Sequence, residues 1–257
     1  MDEAFREKDK VMRLLLGSGG FSTDLRREGW KEVLDDFLGP VSKVLFIPFA
    51  LKDHDHYVEK MIEYDFSAGR ELVGIHRSSD FKSAIEDAQA IYVGGGNSFR
   101  LLDSLQKFDL IKVIQKKVQS GTPYIGVSAG TNMACPTLMT TNDMPIVYPK
   151  SFDSLNLISF QINPHYFAGA THIEDCDQFI RYGGETRDDR IKEYHEMNNL
   201  PVLGLWEGAI LRVEENEKSF YGKGVGVGSQ PEVARLFQKD KETQVIYLGE
   251  SFPEELK

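Results

Sequence analysis

The chain has 257 residues, of which 41% are hydrophobic and 27% charged, and 30 Lys and Arg against 40 Asp and Glu leave a formal net charge of -10. That balance excludes intrinsic disorder as the organising state, because enough apolar surface is present to bury a core. The acidic excess argues against nucleic acid or an anionic membrane as partner, since both call for clustered cations.

In chain order, MDEAFREKDK is expected to be a disordered extension over 1–10, ahead of a single domain spanning 11–257. It holds no apolar run of the kind a secretory signal needs, and no later segment reaches the roughly 18 apolar residues of a membrane span. Cys135 and Cys176 are too few for a disulfide framework, so a reducing, cytoplasmic location is expected. Short apolar runs at 11–16, 43–49, 71–75, 90–93 and 123–127 predict buried strands. Between them, amphipathic patterns predict helices over Asp24–Leu38, with Leu25, Trp30, Val33, Leu34 and Phe37 on one face, over 56–68 and 81–88, and over 97–119 with a break near Phe108. Strand alternating with helix predicts an α/β fold: a doubly wound, mostly parallel sheet with helices on both faces. Beyond Ile158, ISFQINP and PVLGLWE read as further strands around a polar helix at 187–197. AILRVEENEKSFYGKG then reads as a C-terminal β-hairpin turning near Glu215 and Asn216, and QVIYLG as a last strand. Gly222, Gly224, Gly226 and Gly228 lack a following Lys-Ser/Thr and read as a flexible loop rather than a phosphate cradle.

The chemistry concentrates at Gly126-Val127-Ser128-Ala129-Gly130, which follows the strand PYIGV and precedes a helix-compatible run. Strand, tight turn and helix around G-x-S-x-G form the context in which a serine hydroxyl is lifted clear of a sheet for nucleophilic attack. The competing reading is a small-residue turn that only packs a helix on a strand. A serine nucleophile needs a base, and of the six histidines His165, just past an apolar strand and Pro164, is best placed to meet Ser128. Asp53-His54-Asp55-His56 resembles a metal site, but consecutive residues do not converge on one ion in a helix or a strand. A helix start with Asp53 or Asp55 as N-cap is preferred, and no metal is assigned.

IPFA at 47–50, VGGGN at 93–97, GVSAG at 126–130, NMACPT at 132–137, TTNDMPIV at 140–147, FDSLNL at 152–157, QINPHY at 161–166 and GETR at 184–187 together make the chain resemble the peptidase E, or α-aspartyl dipeptidase, family. The resemblance implies a serine dipeptidase that cleaves after an N-terminal aspartate, with no cofactor, and with Ser128 and His165 catalytic. It places the third member of the triad at Glu207 in LGLWEG, although Trp206 and Ala209 depart from the family's pattern beside it. Asp143 is the alternative acid, its other role being a turn or helix cap. It further implies oxyanion donors at Gly96 and Ala129, a substrate contact at Asn97, and Arg187 as the cation that reads the aspartate side chain. Such a cation is needed in any case, because a net charge of -10 repels an acidic substrate. The expected partner is a small acidic dipeptide; a homodimer is left open. Two rivals are a cyanophycinase-like hydrolase, against which Arg187 argues, and a catalytically silent relative, from which the proposed triad would have to be incomplete.

Overall fold

Each of the first five strands places its apolar residues alternately on two faces of one sheet, as the two-residue repeat of a pleated strand requires. These strands are β1 (Arg13–Gly17), β2 (Lys43–Ile47), β3 (Glu71–Gly74), β4 (Ile91–Val93) and β5 (Tyr124–Val127). Leu14, Leu16, Leu45, Ile47, Ile91, Val93 and Tyr124 enter one core, while Leu15, Val44, Phe46, Tyr92, Ile125 and Val127 enter another on the opposite face. This computed structural model describes residues 12–19, 23–181, 183–214, 217–222 and 231–256. The expected extension at 1–10, the hairpin tip at Glu215 and Asn216, Gly224, Gly226 and Gly228, and the side chain of Leu25 lie outside the described residues.

The intervening helices are α1 (Asp24–Leu38), α2 (His54–Glu63), α3 (Phe81–Glu86), α4 (Ser98–Lys107), α5 (Ile111–Gln119) and α6 (Ala129–Ala134). Trp30, Val33, Leu34 and Phe37 of α1 and Val58 and Met61 of α2 fill the second core. Leu101, Leu102 and Leu105 of α4, Ile114 and Val118 of α5, and Met133 of α6 fill the first, so helices cover both faces. Caps set the boundaries. Thr23 caps α1; Asp53 caps α2 through His56 N at 3.0 Å, starting that helix two residues earlier than its apolar pattern indicates. The same helix ends at Glu63 rather than 68, because Asp65, Ala68 and Gly69 all take positive φ. Asp109, at φ 53°, separates α4 from α5 near the expected break.

The remaining strands are β6 (Gln161–Tyr166), β7 (His172–Asp175), β8 (Gln178–Arg181), β9 (Val202–Trp206), β10 (Ala209–Glu214), β11 (Glu217–Gly222), β12 (Glu232–Phe237) and β13 (Gln244–Tyr247), with α7 (Arg187–Met197) between β8 and β9. They complete a seven-stranded sheet of order β11-β10-β1-β5-β4-β2-β3 and build a second, four-stranded sheet of order β13-β12-β9-β6. In the first sheet β1 to β5 run parallel, and the hairpin β10–β11 adds antiparallel at the β1 edge. In the second, β6 and β9 are parallel and the other pairs antiparallel. The fold is α/β, as the alternation predicts, but the histidine strand belongs to a separate sheet. That sheet packs Ile162, Leu203 and Leu205 into the first core, while α7 covers its other face through Ile191 against Val202, Tyr166 and Phe237. No described helix is long and apolar enough to cross a membrane.

Candidate active site

Strand β5 lies between β1 and β4, and its last residue hands the chain to Ser128, which caps α6 with φ 54° and ψ -107°. An L-residue there is strained by about 1–3 kcal/mol, so the surroundings must hold it. Ser128 N donates to Gly17 O at 3.0 Å, and Ser128 O accepts from Thr131 N at 2.9 Å and Asn132 N at 3.0 Å. The flanking glycines are required by close approach rather than by torsion. A Cβ on Gly126 would lie 2.6 Å from Gly130 O, and one on Gly130 would collide with the carbonyl of Val93. Because backbone blocks it, Gly130→Ala should destabilise the protein by about 1–3 kcal/mol. Gly29→Ala, in open space on α1, should stabilise it by about 0.4–1 kcal/mol. Urea midpoints at unchanged m-value check both, and a neutral Gly130→Ala would show that the elbow is slack.

His165 is delivered by a register irregularity. Strands β6 and β9 pair from Gln161↔Val202 to Asn163↔Gly204, then shift before Tyr166↔Trp206, and His165 sits in the interruption with φ 55°. Its backbone N donates to Ser18 Oγ at 2.7 Å, and Ser18 Oγ donates to Leu205 O at 2.9 Å, tying the end of β1 to both strands. The ring then bridges two partners: Nε2 is 2.8 Å from Ser128 Oγ, and Nδ1 is hydrogen-bonded to Glu207 Oε2. With Nδ1–H donated to the carboxylate, Nε2 is left to accept the serine proton. Glu207 occupies the two-residue link between β9 and β10, where the chain passes from the second sheet to the first. Burial raises its carboxyl pKa, but the hydrogen bond and charge of His165 and the charge of Arg26 outweigh that and hold it below the ordinary value. Arg26 Nη1 is 3.2 Å from Glu207 Oε1.

The glycine loop after β4 runs beside the serine: a Cβ on Gly95 would be 3.2 Å from Ser128 Cβ. Gly96 takes φ 130° with Ala50 O and Leu51 against it, which admits no side chain. Asn97 caps α4, its Oδ1 accepting from Arg100 N at 3.0 Å and its Nδ2 donating to Met144 O at 2.9 Å, so both ends of the amide are engaged. Asp143 Oδ2 accepts from Ser98 N at 2.7 Å and Ser98 Oγ at 2.6 Å. Of the two acids weighed for the triad, Glu207 is the one touching His165, and Asp143 holds the start of α4. Ala129, the first residue of α6, has a backbone N–H with no intrahelical acceptor.

Arg187 opens α7, whose start is fixed by a reciprocal cap between Thr186 and Asp189. Its Nη1 donates to Asn142 Oδ1 at 2.6 Å, its guanidinium lies 5.4 Å from the Phe167 ring centroid, and its Nε is buried without a hydrogen-bond partner. Burial and the charge of Arg190 lower its pKa from the ordinary arginine value, with Asp143 opposing. Asn142 in turn donates from Nδ2 to Pro164 O at 2.7 Å, next to His165, so it tethers Arg187 to the histidine strand. In the sequence Asn142 lies within TTNDMPIV with nothing to assign it a role, and Ser18, Gly19 and Arg26 stand outside every motif named above. For Ser18 and Gly19 the signal was present as Gly-Ser-Gly-Gly closing the first apolar run; Arg26 carried none. Among the described residues, no group of three or more His, Cys, Asp or Glu is placed to hold a metal ion, and Asp55 pairs instead with His76 and Arg77.

This geometry sits within a recognised family. Residues 13–220 match the model of Peptidase family S51. The chain is 42% identical over 246 residues to Peptidase E of Streptomyces coelicolor, covering 95% of this chain and 94% of that one. It is 43% identical over 207 residues to a protein of Drosophila melanogaster named "Probable alpha-aspartyl dipeptidase", covering 80% of each. The crystal structure of a peptidase from an acI-B1 actinobacterium shares the fold, with a TM-score of 0.62 at 16% identity over 95% of this chain and 98% of that one. With the family match spanning most of the chain and two relatives above 40% identity, this protein belongs to Peptidase family S51.

Proposed function

We propose that this protein is a serine dipeptidase that hydrolyses the bond after an N-terminal aspartate, with Ser128 as nucleophile, His165 as proton carrier and Glu207 as the acid that orients it. The observation that carries this reading is the hydrogen-bonded line from Ser128 Oγ through His165 to Glu207, assembled from three separate elements. Ser128 Oγ attacks the peptide carbonyl carbon as its proton passes to Nε2. Glu207 stabilises the imidazolium, and the N–H groups of Gly96 and Ala129 receive the oxyanion. The tetrahedral intermediate then expels the amine, which takes the proton from Nε2. Water attacks the acyl-enzyme with His165 again as base, releasing aspartate and restoring the serine. The name of the Drosophila relative supports the aspartyl substrate. Two unpaired cysteines support a cytoplasmic location.

Arg187 is assigned to the substrate's side-chain carboxylate, because a half-buried guanidinium with an unpartnered Nε–H offers charge and a donor together. Asp-Leu should therefore be cleaved far better than the near-isosteric Asn-Leu, by about 30- to 4000-fold in kcat/KM, corresponding to about 2–5 kcal/mol for the lost charge-assisted pairing. Glu-Leu keeps the charge but is one methylene longer, which displaces the scissile carbonyl, so it too should be poor. Arg187→Met should erase most of the Asp-over-Asn preference while leaving the labelling of Ser128 by a small fluorophosphonate intact. A variant that keeps the wild-type preference would place the aspartate on another cation. A wild-type protein that cleaves β-Asp-X but no Asp-X peptide would overturn the substrate assignment.

A further inference from the structure

The triad acid has a second partner that the mechanism above does not use. Glu207 divides its carboxylate, with Oε2 on His165 and Oε1 on Arg26 at 3.2 Å. Arg26 reaches this position from α1 because that helix is pinned at the site. Trp30, four residues on and so on the same helical face, lies so close to Gly17 that a Cβ there would enter its ring, and Trp30 Nε1 donates to Gly19 O at 3.1 Å. A Cβ on Gly19 would in turn fall 2.8 Å from both Glu207 Oε2 and His165 Cε1, so β1 ends flush against the acid–base pair. The carboxylate is thus bounded by His165 on one oxygen, Arg26 on the other, and main chain on its flank.

From this arrangement we propose that Arg26 is a positioning residue for the hydrolytic reaction, holding the carboxylate of Glu207 in the orientation that orders His165 and setting the proton affinity of the pair. The inference rests on the triad reading. A carboxylate gripped at one oxygen only is free to rotate, and each rotation away from Nδ1 costs the imidazole its tautomer and its aim at Ser128. Among the described residues, the charged groups facing Glu207 are His165 from β6 and Arg26 from α1. Arg26 therefore offsets part of the negative charge that would otherwise favour the imidazolium. Its removal makes the acid–base pair hold a proton more tightly, moving the acid limb of the rate profile to higher pH.

The test is kcat/KM for Asp-Leu from pH 4.5 to 9 in wild type, Arg26→Met, Arg26→Gln and Arg26→Lys, with folding checked by thermal unfolding. Either uncharged variant should move the acid-limb midpoint upward by about 0.5–1 pH unit and lower plateau kcat by about 3- to 30-fold with KM nearly unchanged. Arg26→Lys, which keeps the charge, should return the midpoint to near its wild-type position. In a Glu207→Gln background, Arg26→Met should have no further effect on the residual rate. An unmoved limb in both folded uncharged variants, a shift that lysine fails to reverse, or a full additional loss in the Glu207→Gln background would each overturn the role. If Glu207→Gln alone were nearly as active as wild type, the triad reading itself would fall, which separates that failure from this one.

Discussion

Ser128→Ala is expected to lower hydrolysis of Asp-Leu by on the order of 10⁴- to 10⁶-fold, to the level left by binding and oxyanion stabilisation alone. In the proposed mechanism the hydroxyl is the atom that becomes covalently bonded to the substrate, and no other group on the hydrogen-bonded line offers a nucleophile in its place. The fold should survive, because the side chain's hydrogen bond is to His165 while the elbow is held by main-chain bonds to Gly17, Thr131 and Asn132. Alanine takes the strained backbone no worse than serine does. The measurement is turnover by the purified variant alongside its thermal unfolding and its loss of fluorophosphonate labelling. Near-normal turnover in a folded sample would eliminate the serine mechanism.

Glu207→Gln should cost on the order of 10⁴-fold in kcat, the loss that follows when a triad acid becomes its amide. Glutamine is isosteric, so His165 keeps a neighbour, but an amide that turns its NH₂ toward Nδ1 demands the tautomer with the proton on Nε2. That tautomer cannot accept from Ser128. The amide also loses the attraction of Arg26, so its orientation is less restrained. Asp143→Asn is the matched comparison, since Asp143 bonds Ser98 rather than His165. It should act through the start of α4 and the neighbouring glycine loop and leave a far larger residual rate. If Asp143→Asn were inert and Glu207→Gln nearly normal, the carboxylate assignment would be wrong.

What could be read from the chain follows from how local each determinant is. The parallel strands and the elbow are spelled by contiguous residues: a buried run, a glycine, a serine, a glycine and a helix-forming stretch. The bounds expected for α1 and α7 match those of the structure, where Thr23 and Thr186 cap the two helices. β7 and β8 were not, because every residue in both strands is exposed and no buried alternation exists to be seen. β12 was missed for a different reason: a register shift between Glu232 and Ala234 breaks its period of two. The choice between Glu207 and Asp143 could not be settled along the chain, since Asp143 reads equally as an acid or as a turn or helix cap, and only the crossing of β9 into β10 brings one of the two to His165. Arg26 is further from view still, 181 residues from the carboxylate it holds.

In the proposed mechanism the nucleophile and its base belong to different sheets, and the acid occupies the link that joins them. Proton transfer therefore depends on the alignment of two layers as much as on the three side chains, to within the few tenths of an ångström over which a hydrogen bond keeps its strength. The layers are stitched close to the chemistry by Asn132 Nδ2 and Thr140 Oγ1, both donating to Ile162 O, at 3.0 and 2.8 Å. The catalytic centre thus doubles as a gauge of docking. Substitutions along β9 or β12 that leave overall stability nearly untouched are expected to reach turnover by sliding one layer over the other, and in this fold the apolar seam between the sheets is as much a part of the machinery as the groups that line the cleft.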